Sequence, residues 1–159
     1  YEDQKPAIDI GKSVSRVGGN TQAPVLKAMS ESLKLDYAQF LELEVFTRFG
    51  TMVDERTRKV IEHGRRIRAI LGQRQFAPLA LGEQVALLAA VSDGVLDDVP
   101  LERLAAFRGE LGAWLKERCP EVAAFDDAAP PLSGDVRARL RAALAALALS
   151  LMPSGERAP

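Results

Sequence analysis

Apolar residues return every three or four positions from residue 22 almost to the end of this chain, and that spacing constrains its fold more than any other feature. An α-helix repeats every 3.6 residues, so each such row predicts a helix with one buried face. Glycine or proline interrupts the rows, for example at Gly50, Gly94 and Pro120, where helices are expected to end. The pattern predicts a mainly α fold, a helical bundle of about five helices.

The helices are predicted at about residues 22–50, 51–71, 82–92, 100–119 and 135–152. Thr51 and Asp54 resemble a capping box at the start of the second helix, and Ser133 is placed to cap the last one. Gly64 lies inside the second helix, where glycine costs roughly 1 kcal/mol relative to alanine. We therefore expect Gly64 to mark a point of close packing.

The first 21 residues differ from the rest. Residues 7–10 alternate as a short strand does, and glycines at positions 11, 18 and 19 mark a loop around them. A lone strand cannot satisfy its own backbone hydrogen bonds, and no later segment has the pattern of a strand. We expect this strand and loop to be a remnant of an upstream domain that is missing from the chain.

The predicted organisation therefore has five parts. Residues 1–21 end the upstream domain, 22–127 form a helical domain, 128–134 are a linker, 135–152 are a C-terminal helix and 153–159 are a tail. Two prolines in the linker and one directly after the last helix set these boundaries.

Composition excludes several kinds of catalytic site. His63 is the only histidine and Cys119 the only cysteine, so a zinc site or a hydrolase triad would lack partners. The chain has no GxxxxGK[ST] loop to hold phosphates. Its net charge of −1 gives the whole chain no electrostatic attraction to nucleic acid or to an anionic membrane.

Three charged features have a structural and a functional interpretation. Seven basic residues cluster in and after the second helix: Arg56, Arg58, Lys59, Arg65, Arg66, Arg68 and Arg74. Acidic residues are interleaved with them, which favours a solvated helix face with local ion pairs over nucleic-acid binding. His63 is predicted to be a surface residue. For Asp97 and Asp98, before a proline-started helix, a structural role is favoured over acid–base chemistry.

Arg16 lies in a glycine-bounded loop and also has two interpretations. A solvated loop arginine is the common one. The sharper one is an arginine that meets an anion from another chain, because flanking glycines allow close backbone approach and the guanidinium fork matches phosphate oxygens.

Several motifs favour the sharper interpretation. Residues 5–19, KPAIDIGKSVSRVGG, resemble the stretch of F-type ATP synthase alpha subunits that carries their arginine finger. The resemblance continues in order through LKLDYAQF, FTRFG, ILGQRQFAPL, EQVA and GVLDDVP, and covers roughly residues 5–118. The stretch LEVFTRFG resembles the alternate, N-type branch of these enzymes more than the common branch.

The resemblance implies a regulatory subunit that alternates with beta subunits in a hexamer around the gamma rotor. By position, Arg16 would be the arginine finger that reaches the catalytic site of the neighbouring beta subunit, with Ser15 as neighbouring support. Gln73 and Gln75, with Lys5 and Pro6, would lie on the adenine side of a non-catalytic nucleotide site. Lys5 replaces the arginine usual in the family, which puts its part of that site in doubt.

The resemblance also implies ATP or ADP with Mg²⁺ as ligands of the full complex, and no measurable ATP affinity for this chain alone. The implied partners are the beta, gamma and other alpha subunits, in a peripheral sector at the cytoplasmic face of a bacterial membrane. The segment at residues 92–101 would approach the rotor. The alternative is a stand-alone, truncated helical interaction module without catalysis.

Overall fold

The computed structural model describes residues 23–47, 54–71 and 79–152. The predicted strand at residues 7–10, the boundary residues Gly50 and Thr51 and the tail at 153–159 lie outside these ranges. Six α-helices make up most of the described part: α1 Pro24–Thr47, α2 Glu55–Leu71, α3 Leu81–Ser92, α4 Leu104–Arg118, α5 Pro120–Ala123 and α6 Gly134–Ser150. A 3-10 turn, Leu101–Arg103, precedes α4. The prediction of a mainly α bundle is confirmed.

Helix α3 lies at the centre of the bundle. Its sequence, LGEQVALLAAVS, is apolar on every side, and such a helix is stable only when neighbours cover it all round. Helices α1, α2, α4, α5 and α6 all pack against it. Seven of its twelve residues are buried as a result.

The predicted apolar rows form one continuous core. Its members in the outer helices include Met29, Leu33, Tyr37, Phe40, Ile61, Ile67, Leu104, Phe107, Leu111, Leu115, Leu140, Leu144 and Leu147. No polar or charged residue of the described ranges is buried in this core. The burial of apolar surface, at about 25 cal/mol per Å², is therefore what holds the bundle together.

The predicted cap at Ser133 is confirmed, whereas at α2 Asp54 is itself the cap and not the third residue of a capping box begun by Thr51, which lies outside the described ranges. The carboxylate of Asp54 accepts a hydrogen bond of 2.8 Å from the backbone N–H of Thr57, at the start of α2. The hydroxyl of Ser133 accepts one of 3.4 Å from the backbone N–H of Val136, at the start of α6. Pro120 ends α4 as expected, but it also opens the one-turn helix α5, since proline suits the first position of a helix.

Two glycines set how closely the helices approach each other. A Cβ atom on Gly64 would lie 2.0 Å from Cγ of the buried Phe40 ring, so α1 and α2 meet at this residue as predicted. A Cβ atom on Gly82 would lie 2.0 Å from the carbonyl oxygen of Val122, which brings α3 against the backbone of α5. Only glycine allows either approach without a displacement of the neighbour.

Helix α6 packs against α3 and α4. The indole N–H of Trp114, in α4, donates a hydrogen bond of 2.8 Å to the carbonyl oxygen of Ala143. The backbone N–H of Val25 donates to the carbonyl oxygen of Ala129, which ties the segment before α6 to the start of α1. Of the helices in the described ranges, none is both long and apolar enough to cross a membrane.

Candidate functional site

The residues predicted to meet a nucleotide lie outside the described ranges. These are Lys5, Pro6, Ser15, Arg16, Gln73 and Gln75. Their predicted roles therefore stay predictions. Within the described ranges, no group of three or more His, Cys, Asp or Glu side chains lies close enough together to hold a metal ion.

The segment predicted to approach the rotor is described, and we call its residues 93–99 the α3 turn. Gly94, the second residue of the turn, has a φ of +68°, a conformation that residues with a side chain rarely adopt. Backbone hydrogen bonds then close it, from Val95 N–H to Ala90 and from Asp97 N–H to Gly94. The side chains of Leu96 and Val99 are buried in the core. These two apolar side chains therefore anchor the turn to the core.

One hydrogen bond and one ion pair link the α3 turn to neighbouring helices. The Nδ1 atom of His63, in α2, lies 2.7 Å from an Asp97 carboxylate oxygen. Because an ionised carboxylate can only accept, Nδ1 carries the proton. At the other end, the guanidinium of Arg137, in α6, pairs with Asp93. The hydrogen bond to Asp93 raises the pKa of Arg137 above its ordinary value.

These contacts revise the predictions for the histidine and the carboxylates. His63 is not a freely exposed surface residue, since only 23% of its side chain is accessible. Asp97 is paired with it, whereas Asp98 lies on the exposed side of the turn. Asp97 thus has a structural contact, but the contact is to a distant helix and not to the N-terminus of the following one. The sequence holds no local signal for a pairing across 34 residues.

We expect the His63–Asp97 pair to order the α3 turn more than it stabilises the bundle. Each single change, His63→Ala or Asp97→Ala, should speed amide exchange at Asp97 and Val99, while a double-mutant cycle should give a coupling free energy of about 0.5–1 kcal/mol. Hydrogen exchange measured by NMR, with urea unfolding, reads out both quantities. Asp98→Ala is the matched control and should change neither. Equal exchange rates in all three variants would show that the pair does not hold the turn.

A second polar cluster joins α1 to α2, and we call it the Arg68 clamp. The guanidinium of Arg68 donates two hydrogen bonds, of 3.1 and 2.6 Å, to the two carboxylate oxygens of Glu44. It also lies 3.4 Å from the hydroxyl of Tyr37 and 4.9 Å from the centre of the Phe40 ring. The bonds to Glu44 raise the pKa of Arg68 above its ordinary value, against the opposing effect of burial.

The Arg68 clamp changes the prediction for the basic cluster in one respect. Lys59 forms the expected local pair with Glu55, four residues earlier, at 3.3 Å. Arg58 and Arg65 lie on the exposed face of α2. Arg68, however, pairs with a different helix and stacks on an aromatic ring. It is a structural residue of the bundle and not part of a solvated face.

Arg68→Ala is expected to lower the free energy of unfolding by about 1–2 kcal/mol, because a bidentate pair and a ring contact are lost at a partly exposed position. Arg68→Lys should recover less than half of that, since an ammonium group cannot donate to both oxygens and stack at once. Arg58→Ala, on the exposed face, should stay within about 0.5 kcal/mol of the unmodified protein. Urea unfolding followed by circular dichroism measures the stability of all three variants. If Arg68→Lys had the full stability of the unmodified protein, the bidentate pairing of Arg68 with Glu44 would not be what stabilises the bundle.

Side chains from two helices contact the α3 turn at its two ends. His63 of α2 contacts Asp97, and Arg137 of α6 forms an ion pair with Asp93, so the turn is linked to both helices. A displacement of the turn would act on both helices.

Comparison with known proteins identifies the family of this chain. The family described as ATP synthase alpha/beta chain, C terminal domain, matches residues 22–147. ATP synthase subunit alpha 2 of Nitrosospira multiformis is 53% identical over 119 residues, which cover 75% of this chain and 23% of that protein. ATP synthase subunit alpha 2 of Syntrophus aciditrophicus is 54% identical over 101 residues, 64% of this chain and 20% of that protein.

A third relative extends the likeness over almost the whole chain. ATP synthase subunit alpha 3 of Paraburkholderia xenovorans is 41% identical over 157 residues, 99% of this chain and 30% of that protein. The similarity therefore includes residues 119–147, where motifs alone gave no resemblance. The chain spans less than a third of the length of each of these three relatives.

Proposed function

The protein belongs to the family defined by the C-terminal domain of ATP synthase alpha and beta subunits, as the C-terminal portion of an alpha subunit, and on that premise we propose that it works inside a rotary ATPase. The observation that carries the proposal is the family match over residues 22–147, joined to alpha-type relatives at 41–54% identity. In this proposal the protein acts in a peripheral sector at the cytoplasmic face of a bacterial membrane.

The proposed chemical contribution comes from Arg16. Its guanidinium would reach across a subunit interface and donate hydrogen bonds to phosphoryl oxygens of ATP held, with Mg²⁺, by a neighbouring beta subunit. Charge that develops on those oxygens in the transition state would be stabilised more than the ground state, which is the condition for catalysis. Ser15 would support the loop, and Gln73, Gln75, Lys5 and Pro6 would border the adenine of a non-catalytic nucleotide.

The proposed mechanical contribution comes from the helical bundle. Its apolar core and the Arg68 clamp hold the helices together, and in this proposal the bundle keeps the Arg16 loop aligned with the next subunit. The α3 turn is the segment proposed to approach the gamma rotor. A rotor that pushed on this turn would act on α2 through His63 and on α6 through Arg137.

Native mass spectrometry of the ATPase sector from the source cell tests the proposal. The expected result is an assembly in which this sequence is present together with beta and gamma subunits, in equal numbers with beta. The sequence should leave the membrane with that assembly at low ionic strength. Finding the protein only as a free species, with beta subunits assembled without it, would support the stand-alone interaction module and contradict the proposal.

A further inference from the structure

Helix α1 begins without a side chain that could cap it. The residue before Pro24 is Ala23, and an alanine side chain accepts no hydrogen bond. The first N–H groups of an α-helix have no partner within the helix, and a capping residue normally supplies one. Because proline has no N–H group, Val25 carries the first N–H of α1 that needs a partner.

A carbonyl group from the segment between α5 and α6 is that partner. The backbone N–H of Val25 donates a hydrogen bond of 3.3 Å to the carbonyl oxygen of Ala129. Ala23, Val25 and Ala129 are all buried, so water has little access to this bond. A buried N–H group left without a partner is costly, and the start of α1 therefore depends on where the Ala129 carbonyl lies.

A tight turn places the Ala129 carbonyl, and we call residues 126–129 the capping turn. The N–H of Ala129 donates a hydrogen bond of 2.9 Å to the carbonyl oxygen of Asp126, which closes the turn. A carboxylate oxygen of Asp126 accepts a second one, of 3.0 Å, from the N–H of Ala128. Aspartate favours the first position of such turns through this side-chain bond. Pro130 follows directly and restricts the backbone of Ala129 to an extended conformation.

We propose that the capping turn fixes the point at which the chain enters the helical bundle, and that Asp126 is thereby a positioning residue for Arg16. Arg16 lies only seven positions before Ala23 in the sequence, so a shift at the start of α1 acts on a short stretch of chain. A catalytic group must be placed closely, since a misplacement of about 1 Å can cost about 10²-fold in rate. The inference rests on the proposed function of Arg16.

Asp127 provides a matched comparison for Asp126. The two aspartates are neighbours in the capping turn, and both are exposed. Asp126 accepts the hydrogen bond that shapes the turn, whereas Asp127 forms no hydrogen bond or ion pair within the described ranges. Replacing either one removes the same charge and the same atoms, and only the change at Asp126 releases the turn.

Steady-state ATP hydrolysis by the assembled ATPase tests the proposal. Asp126→Ala should lower kcat roughly tenfold with KM unchanged, since Arg16 acts on the transition state. Asp126→Asn should stay within about twofold of the unmodified enzyme, because its amide oxygen can accept the same hydrogen bond. Asp127→Ala should change nothing. In an Arg16→Ala background, Asp126→Ala should cause no further loss, whereas a general structural defect would lower turnover by the same factor in both backgrounds.

Hydrogen exchange of the same assemblies, followed by mass spectrometry, reads out the capping turn independently of turnover. Peptides that contain the Val25 amide should exchange faster in Asp126→Ala than in Asp127→Ala. If Arg16→Ala abolished turnover while Asp126→Ala left kcat unchanged, the positioning role alone would be overturned. Failure of Asp126→Asn to preserve activity, or a loss that persists in the Arg16→Ala background, would overturn it as well. If Arg16→Ala itself kept full turnover, the proposed function would fail first, and the positioning role with it.

Discussion

Replacing Arg16 with alanine in the assembled ATPase is expected to lower the rate of ATP turnover about 10³-fold or more, with little change in nucleotide affinity. An arginine that reaches the transferring phosphoryl group acts chiefly on the transition state, and arginine fingers of GTPases contribute about 10³–10⁵ in rate. Steady-state hydrolysis and equilibrium binding of a fluorescent nucleotide, measured on the same preparation, separate the two effects.

Two companion variants make the Arg16 result specific. Arg16→Lys should recover little activity, because a point ammonium cannot reproduce a planar fork of donors. Arg58→Ala removes an exposed arginine of α2 and should leave turnover unchanged. If Arg16→Ala kept more than a tenth of the activity, or lost activity only through weaker nucleotide binding, the role assigned to Arg16 would be wrong.

Gly82→Ala is expected to have the largest effect on stability, a loss of about 3 kcal/mol in the free energy of unfolding. The added Cβ would lie 2.0 Å from the carbonyl oxygen and 2.9 Å from the carbonyl carbon of Val122. Backbone atoms cannot move away by rotation about a side-chain bond, so α3 or α5 must shift as a whole. Overpacking of this kind typically costs about 1–3 kcal/mol, and contact with backbone favours the upper end.

Two further glycines in the same bundle serve as controls for Gly82→Ala in urea unfolding. The Cβ atom added by Gly109→Ala meets no atom within 4 Å, so this change should stabilise α4 by up to about 1 kcal/mol through helix propensity alone. At Gly112 the added Cβ would meet the Oε1 atom of Glu83, the far end of a flexible side chain, so the loss should be smaller than at Gly82. Gly82→Ala with unchanged stability would show that α3 and α5 are not in close backbone contact.

Much of the fold follows from sequence because helices are local. Intervals of three and four residues place Met29, Leu33, Tyr37 and Phe40 on one face of α1 whatever that face meets, and all four are buried. The one-turn helix α5 was not predicted, because four residues are too few to show the spacing of apolar residues that is typical of a helix. Close packing at Gly64 was predictable, because glycine destabilises a helix interior and its presence there indicates a packing constraint. The packing partner, Phe40, could not be predicted from the sequence.

The contacts of the site were much harder to predict because they join distant parts of the sequence. Arg68 lies in a row of basic residues, and nothing near it in sequence indicates that it pairs with Glu44 while its neighbours stay exposed. The pairs His63–Asp97 and Arg137–Asp93 likewise depend on how three helices converge on the α3 turn. The candidate role of Arg16 was predicted from the motif resemblance and from the glycines around it in the sequence. Neither of these depends on how the helices pack.

A structure of the assembled ATPase sector, determined with ADP, Mg²⁺ and a γ-phosphate mimic, tests the central claim most directly. The quantity to measure is the distance from the Arg16 guanidinium to the nearest oxygen of the phosphate mimic held by the adjacent subunit. We expect about 3 Å, with two nitrogen atoms of the guanidinium facing the phosphate mimic. An Arg16 side chain that faces solvent, or contacts only its own subunit in that state, would contradict the proposed function.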